Sequence, residues 1–293
     1  MTENIKTAWN ILKYILIHFI IMVLYIMGAS FFYGIKMDIG GSVEDIENLA
    51  ANMANHTSIA IIVAAVGSFL IYRYMMKRRG LNLYKECRFR RLTKGQIVAS
   101  CLIGSTVIFL SMIILNLTGI IFPQSLENHS SNMGSIITPN TLLIIASVGI
   151  AAPLIEEILF RGLIFRELER KTTMKLTIII QALLFGIYHL NLAHSTMAAV
   201  MGIFLGLSLY WTESIWAPIL IHLINNLLSA GLELLGYSGF VELYPLVNLA
   251  MYGAAIFIVL PLSLRYLYRT RTPWESYGLK DEIESEVGIL PLD

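Results

Sequence analysis

Charged residues are scarce in this sequence. Asp, Glu, Lys and Arg make up 14% of its 293 residues, whereas hydrophobic residues make up 56%. Soluble globular domains carry about 25% charged residues. The scarcity excludes an ordinary soluble domain and predicts an all-α fold, a polytopic membrane bundle of about eight transmembrane helices.

Cysteine is rare and the net charge is small. One of the two cysteines, Cys87, lies in a polar connection and the other, Cys101, in an apolar run. This placement argues against a disulfide framework. The formal net charge of +1 shows no overall bias towards nucleic acid. The expected surroundings are therefore the lipid bilayer, with no nucleic-acid partner.

Long apolar runs are abundant. Eight of them approach the roughly 20 residues that a helix needs to cross a bilayer. The first is too long for a signal-peptide core and lacks a small-residue cleavage site, so we expect it to be retained as a span. The runs lie at about Trp9–Tyr33, Thr57–Met76, Ile97–Ile121, Thr141–Phe165, Met174–Leu190, Thr196–Thr212, Trp216–Leu235 and Glu242–Leu264.

Basic residues are distributed unequally between the two ends of these runs. With eight spans, 20 of the 21 Lys and Arg residues fall on the side that holds both termini, and Lys36 is the exception. Lys and Arg near span ends favour the cytoplasmic side. Both termini are therefore expected in the cytoplasm. The basic segment KRRGLNLYKECRFRRLTKG, residues 77–95, predicts either an amphipathic helix on anionic lipid or a loop that sets the topology.

The fourth run contains three charges within PLIEEILFRG, residues 153–162. An ionisable residue inside a span must be compensated and is a functional candidate. Glu157 and Arg161 share a helix face and can form an ion pair. Glu156 points about 100° away from Glu157 and has no such local partner. Pro153 lacks a backbone donor, which predicts a kink that admits water beside Glu156.

His189 in the fifth run has the depth to face Glu156. The connection between the fourth and fifth runs centres near Thr172, and Glu156 lies 16 residues before it and His189 17 after it. Two antiparallel helices joined by a tight turn place such residues at similar heights. A carboxylate and an imidazole so placed can hold and deprotonate a water molecule.

The sixth run, taken to begin at Thr196, contains no ionisable residue. Its Gly202 and Gly206 are four residues apart, which predicts close packing against a neighbouring helix. Asn116 of the third run, Gln181 of the fifth and Asn225 of the seventh are expected to form hydrogen bonds between helices.

The seventh run carries His222 and Asn226 on one helix face. Both can donate hydrogen bonds to an oxygen that becomes negative during a reaction. Alternatively, Glu156, His189 and His222 could supply three zinc ligands with an open fourth position. The sequence lacks a His-Glu-x-x-His pairing, and Asn226 is better explained as an oxyanion donor. A mechanism without a cofactor is therefore favoured, with zinc as the alternative.

Three motifs on separate runs, in this order, resemble those of the CAAX prenyl endopeptidase and bacteriocin-processing family of intramembrane proteases, also called CPBP or Abi. The motifs are EEILFR (Glu156, Glu157, Arg161), FGIYH (Phe185, His189) and HLINN (His222, Asn226). The resemblance covers residues 141–235, which it marks as the catalytic core. Residues 1–140 would then hold the N-terminal spans and the basic loop, and residues 236–293 the last span and a cytoplasmic tail.

The resemblance implies an intramembrane endopeptidase, in a bacterial plasma membrane, whose substrate is a membrane-associated peptide or protein. Glu156 with His189 would activate the attacking water, and His222 with Asn226 would form the oxyanion hole. The remaining motif residues would orient and support the site. Members have been described both as metalloproteases and as glutamic proteases, so the resemblance leaves the role of zinc open.

Two further functions compete with the endopeptidase. A non-catalytic protein with the same fold, such as a bacteriocin-immunity or membrane regulatory protein, would have little reason to keep an unpaired Glu156. A proton-coupled transporter would be expected to show repeated halves or paired broken helices, and the sequence shows neither. Intact motifs therefore favour the endopeptidase.

Overall fold

A bundle of helices forms the protein in a computed structural model that describes residues 3–38, 49–136, 140–234 and 237–274. No strand occurs among these residues. The predicted tail lies outside them from residue 275 onwards. The helices are α1 (Glu3–Asp38), α2 (Leu49–Arg78), α3 (Leu83–Glu86), α4 (Lys94–Ile121), α5 (Pro123–Ile136), α6 (Thr141–Glu169), α7 (Met174–Tyr188), α8 (Leu192–Thr212), α9 (Trp216–Leu234), α10 (Tyr237–Leu243) and α11 (Pro245–Arg269).

Six of the described helices, α1, α2, α4, α6, α8 and α11, are long and apolar enough to cross a membrane. The apolar helices α7 and α9 are shorter, and the 15 residues of α7 span only about 22 Å at 1.5 Å per residue. Each of the eight predicted runs overlaps an apolar helix within the described residues, which confirms the polytopic bundle. The helix of the sixth run begins earlier than predicted, at Leu192, because the Asn191 side chain caps it by accepting the backbone N–H of His194.

Ion pairs tie the helix ends together at one end of the bundle, called here the charged end. Glu167, near the end of α6, accepts a hydrogen bond from Asn10 of α1 at 3.0 Å. Arg88, between α3 and α4, pairs with Glu169 of α6 at 3.1 Å and with Glu213, directly after α8, at 3.7 Å. The beginning of α1, the ends of α6 and α8, and the segment between α3 and α4 therefore meet at the charged end.

The basic segment 77–95 is not an amphipathic helix, so the first of its two predicted forms is wrong and the loop is the form that remains. Only the four residues of α3 are helical between α2 and α4. Arg88 is 4% exposed, and its carbonyl accepts the backbone N–H of Ile215 at 3.0 Å. The segment folds onto the bundle because carboxylates at the ends of other helices pair with its arginines.

Glycines allow close approach of the helices around the third to seventh spans. A Cβ at Gly202 of α8 would lie 2.9 Å from the Cα of Ala182 on α7, and one at Gly206 would lie 2.6 Å from a side-chain nitrogen of α7. A Cβ at Gly104 of α4 would lie 2.5 Å from the carbonyl oxygen of Ile221 on α9. These distances confirm the close packing predicted for Gly202 and Gly206.

Membrane orientation can be tested by adding one cysteine at a time, at Ser130 or at Lys85, which are exposed residues at opposite ends of the bundle. The background carries Cys101→Ala and keeps Cys87, which is buried, and burial raises the pKa of its thiol well above the usual value. An impermeant maleimide added to intact cells should label Ser130→Cys. It should label Lys85→Cys only after the membrane is opened, because the basic residues favour the cytoplasm. Labelling of both from one side would show that a span is miscounted.

Replacing Gly202 by alanine should lower the thermal stability of the protein. The new methyl group would meet Ala182 at 2.9 Å and the Arg161 guanidinium at 3.3 Å, and such overpacking costs about 1–3 kcal/mol. Thermal unfolding in detergent measures the effect. Gly28→Ala is the control, because a Cβ there meets nothing within 4 Å. Equal unfolding temperatures for the two variants would contradict the role of the close approach.

Candidate active site

Two wide helical turns flank the acidic pair in α6. Residues Ile145–Ala151 and Ile158–Ile164 form π-helical turns, in which backbone N–H groups bond to the carbonyl five residues earlier. Ala152 N–H, for example, donates to the Ser147 carbonyl. Such turns are rare and occur frequently at functional sites, because each adds a residue to a turn and reorients the side chains.

Pro153 and Asn226 are connected through one backbone carbonyl. In the register of the first wide turn, the donor for the Val148 carbonyl would be the N–H of residue 153, which proline lacks. The Asn226 side chain on α9 supplies the missing donor, with Nδ2 lying 3.0 Å from Val148 O. The predicted irregularity at Pro153 is thus a wide turn whose free carbonyl is satisfied by a site residue.

Glu157 is the centre of a buried hydrogen-bond network. Its Oε1 accepts from Arg161 Nη1 at 3.0 Å and from His222 Nδ1 at 2.8 Å. The side chains of Glu157 and Arg161 are 0% exposed, so both charges depend on these contacts. The predicted ion pair is present, and it also orients the imidazole of a different helix.

Arg161 extends the network to α7 and α8. Its Nη2 lies 3.4 Å from the Gly202 carbonyl oxygen, which also accepts from Gln181 Nε2 at 2.8 Å. Its guanidinium lies 4.3 Å from the centre of the Phe185 ring, a distance at which cation–π attraction is favourable. The hydrogen bond predicted for Gln181 therefore joins α7 to α8 at the carbonyl that Arg161 also contacts.

Glu156 faces His222. Its Oε2 lies 3.8 Å from His222 Nε2, and its side chain is 13% exposed. Within the described residues, His222 is the basic side chain within 4.0 Å of this carboxylate. Residue spacing predicts that Glu156 faces His189, whereas the imidazole nearest to Glu156 in the structure is that of His222 on α9.

His189 lies at the end of α7 with one nitrogen committed. Nδ1 donates to the Phe185 carbonyl at 2.8 Å, so in the neutral ring Nε2 carries the lone pair. The Phe185 ring packs edge-on against both imidazoles, with centroids 5.0 Å from His189 and 5.7 Å from His222. Phe185 thus separates and orients the two histidines, which accounts for the aromatic residue of its motif.

The proposed zinc ligands do not form a metal site as placed. Among the described residues, no group of three or more His, Cys, Asp or Glu side chains is positioned to hold a metal ion. His222 Nδ1 is bonded to Glu157 and His189 Nδ1 to a backbone carbonyl, which leaves the Nε2 atom of each ring as the position that could bind a metal. Because the described side chains form no group placed to hold an ion, we derive no step through a metal.

One neighbour of the site was missed by the sequence reasoning. His194 stacks on His189, with ring centroids 4.2 Å apart and planes 38° apart. The sequence does not mark His194 as a site residue because the sixth predicted run begins at Thr196, two residues after His194. The signal that could have revealed it is the capping residue Asn191, which places His194 in the first turn of α8.

Comparison with known proteins finds a family of membrane proteases. The family model "Type II CAAX prenyl endopeptidase Rce1-like" matches residues 138–228. The chain is 29% identical over 227 residues to "Putative membrane peptidase YdiL" of Bacillus subtilis (strain 168), covering 75% of this chain and 86% of that protein. It is 30% identical over 131 residues to "Membrane-embedded CAAX protease MroQ" of Staphylococcus aureus (strain USA300), covering 39% and 48% respectively.

No solved structure gives a significant match to the chain. The matched residues 138–228 contain the wide turns of α6, the Glu157 network and both histidines that pack against Phe185. The chain therefore carries, within a multi-pass helical membrane protein, a domain that matches the Rce1-like CAAX prenyl endopeptidase family model.

Proposed function

We propose that the protein is an intramembrane endopeptidase that hydrolyses a peptide bond of a membrane-associated peptide or protein without a metal. Glu156 and His189 activate the attacking water, and His222 and Asn226 stabilise the oxyanion. The observation that carries the proposal is the gap between Glu156 and His222. At 3.8 Å it is too long for a direct hydrogen bond and suits a water molecule or a substrate oxygen between them.

Charge balance supports these roles. The site holds two carboxylates, one guanidinium and one imidazole in contact with them. Because a net charge is costly in a buried site, one proton on the Glu156–His222 pair makes the group neutral. When this proton lies on His222, Glu156 is a carboxylate that can accept a proton. His222 is then an imidazolium that donates from Nε2 and is supported at Nδ1 by Glu157.

Asn226 and His189 complete the arrangement. One N–H of the Asn226 amide bonds to Val148 O, and the amide has a second N–H for an oxyanion. His189 presents the lone pair of Nε2, which can accept a hydrogen bond from water and orient it.

The reaction follows from these groups. Glu156 takes a proton from water as the water oxygen bonds to the carbonyl carbon, and the carbonyl oxygen becomes negative. His222 and Asn226 donate hydrogen bonds to that oxygen. When the intermediate collapses, the C–N bond breaks and the proton held by Glu156 passes to the leaving nitrogen. Preorganised donors of this kind supply a large share of the rate enhancement in acyl transfer.

The depth of the site limits the substrate. Glu156 lies 13 residues before Glu169 at the charged end, or about 20 Å along the helix. A bilayer's hydrocarbon core is about 30 Å thick, so a soluble peptide would have to enter lipid to be cleaved. A substrate that is itself membrane-associated meets this requirement. The basic charged end would face the cytoplasm, and the two relatives support a bacterial plasma membrane.

A non-catalytic regulatory or bacteriocin-immunity protein is the alternative function. It would need the fold but not the gap between Glu156 and His222. The two functions therefore differ in one measurable property: only the endopeptidase requires the Glu156 carboxylate for proteolysis.

Glu156→Gln should reduce cleavage by about 10²–10⁴-fold, the usual contribution of a general base, because the amide keeps the shape but cannot accept the water's proton. Mass spectrometry of peptides released from membranes of cells that express either form identifies the cleaved sequence. Rates then come from synthetic versions of that peptide, with and without a prenyl group. Glu242→Gln, an exposed change on α10, is the matched control. Near-normal turnover of the Glu156 variant, or identical peptides from both forms, would contradict the proposal.

Asn226→Ala should lower the turnover rate by about 10²–10³-fold, as loss of one oxyanion donor does, with substrate binding nearly intact. Adding His222→Ala should cost less than the product of the single effects, because both donors serve one oxygen. Asn116→Ala is the control, since that amide bonds to the Met112 carbonyl of its own helix and not to another helix as predicted. The unfolding temperature of each variant shows whether losing the bond to Val148 also destabilises α6.

The same variants distinguish the zinc mechanism. If zinc were required, chelators would inactivate the wild type, and His222→Ala would remove the metal while Asn226→Ala would leave it bound. Metal content of the purified wild type is measured beside its activity in chelator. One equivalent of zinc, with activity lost on its removal and restored on its return, would overturn the metal-free mechanism.

A further inference from the structure

Three histidine rings form a continuous row that begins at the site. His194 lies against His189, with centroids 4.2 Å apart and planes 38° apart. His129 of α5 then packs edge-on against His194, with centroids 5.4 Å apart and planes at 84°. His129 and His194 lie outside the three motifs, and the mechanism above does not use them.

His194 is held firmly by its own surroundings. It lies in the first turn of α8, where its backbone N–H donates to Asn191 Oδ1 at 3.0 Å. The neighbouring Ala193 N–H donates to the Ser125 hydroxyl of α5 at 2.8 Å. The start of α8 is thus attached both to its own cap and to α5, and it presents the His194 ring from a fixed backbone.

The His189 ring needs such support. Its Nδ1 hydrogen bond to the Phe185 carbonyl fixes one atom but allows the ring to tilt about that contact. The rings of Phe185 and Tyr188 stand almost perpendicular to the imidazole, at 88° and 87°, with centroids 5.0 Å and 5.5 Å away. The His194 ring is nearer, with its centroid 4.2 Å away, and its plane is inclined by only 38°. The tilt of the ring, and hence the direction of Nε2, depends on that contact.

We propose that His194 is a positioning residue for His189: its ring supports one face of the His189 imidazole so that Nε2 keeps the direction required to hold the attacking water. The expected effect on turnover rests on the proposed function, whereas the effect on the orientation of the His189 ring does not. The proposed role is one of packing, so another aromatic ring should replace His194. His129 in turn packs against His194, with centroids 5.4 Å apart.

The structural arm of the test uses protein with ¹⁵N-labelled histidine in detergent micelles. The His189 ring signal is assigned by its absence in His189→Asn. His194→Phe should keep that signal close to its wild-type position and width, whereas His194→Ala should displace or broaden it because the ring can tilt. An unchanged His189 signal in His194→Ala would overturn the proposal, whatever the activity of the protein.

The kinetic arm uses the peptide whose release depends on Glu156. His194→Ala should lower kcat by about 10–100-fold, the effect of misplacing a reacting group by up to 1 Å, with KM unchanged because the proposed role is to orient His189 and not to bind the peptide. His194→Phe should restore most of the rate. His56→Ala is the control, because His56 also packs against an aromatic ring, that of Tyr33 at 5.3 Å, but outside the site. A His194→Phe rate as low as that of His194→Ala would overturn the packing role and assign the imidazole a polar one.

The two arms separate failure of this inference from failure of the proposed function. If Glu156→Gln cleaves as well as the wild type, the proposed function fails, and the resonance comparison still decides whether His194 positions His189. If Glu156→Gln is inactive and His194→Ala is fully active, only the positioning role fails.

Discussion

Glu157 and Arg161 are completely buried, and removing the partner of a buried charge typically costs about 3–5 kcal/mol. The contacts that these two buried charges need determine how the surrounding helices are positioned. The guanidinium is placed against the Gly202 carbonyl of α8 and the face of Phe185 on α7, and the carboxylate accepts the His222 imidazole of α9. Four helices are thereby held at one depth, and the orientation of His222 towards Glu156 is a consequence of the ion pair.

The irregular backbone of α6 also helps to position the site helices relative to one another. A regular helix satisfies all of its own carbonyls, and a lipid-embedded helix cannot leave one unpaired without cost. The wide turn before Pro153 frees the Val148 carbonyl, and Asn226 satisfies it. The bond attaches α6 to α9 one helical turn from His222. Asn226 therefore contributes to the structure whether or not its second N–H contacts an oxyanion, and stability and turnover have to be measured together.

The two ends of the bundle are stabilised by different interactions. At the charged end, ion pairs such as Arg88–Glu169 join helices from both halves of the chain. At the other end, α5 and the first turn of α8 meet through Ser125 and Ala193 and through the contact between His129 and His194. The segment before the catalytic core thus contacts the site through His194, although it carries none of the three motifs. A role for this segment in shaping the site follows from that contact.

The sequence by itself determined what depends on composition and local spacing. Apolar runs predicted the helices, and the four-residue interval predicted the Glu157–Arg161 pair, because a helix brings such residues together wherever it lies. The cytoplasmic location of both termini, which rests on eight spans and the distribution of basic residues, stays a prediction. The three motifs likewise identified every side chain of the central network except Gln181, which had been assigned only an interhelical bond. Tertiary structure alone decided that Glu156 faces His222 rather than His189, and that Asn226 bonds to Val148. It also decided that segment 77–95 folds onto the bundle and that His194 covers His189. Those contacts depend on the rotation and register of each helix, which are set by non-local packing such as the approach of α8 to α7 at Gly202, and residue spacing within one helix carries no information about them.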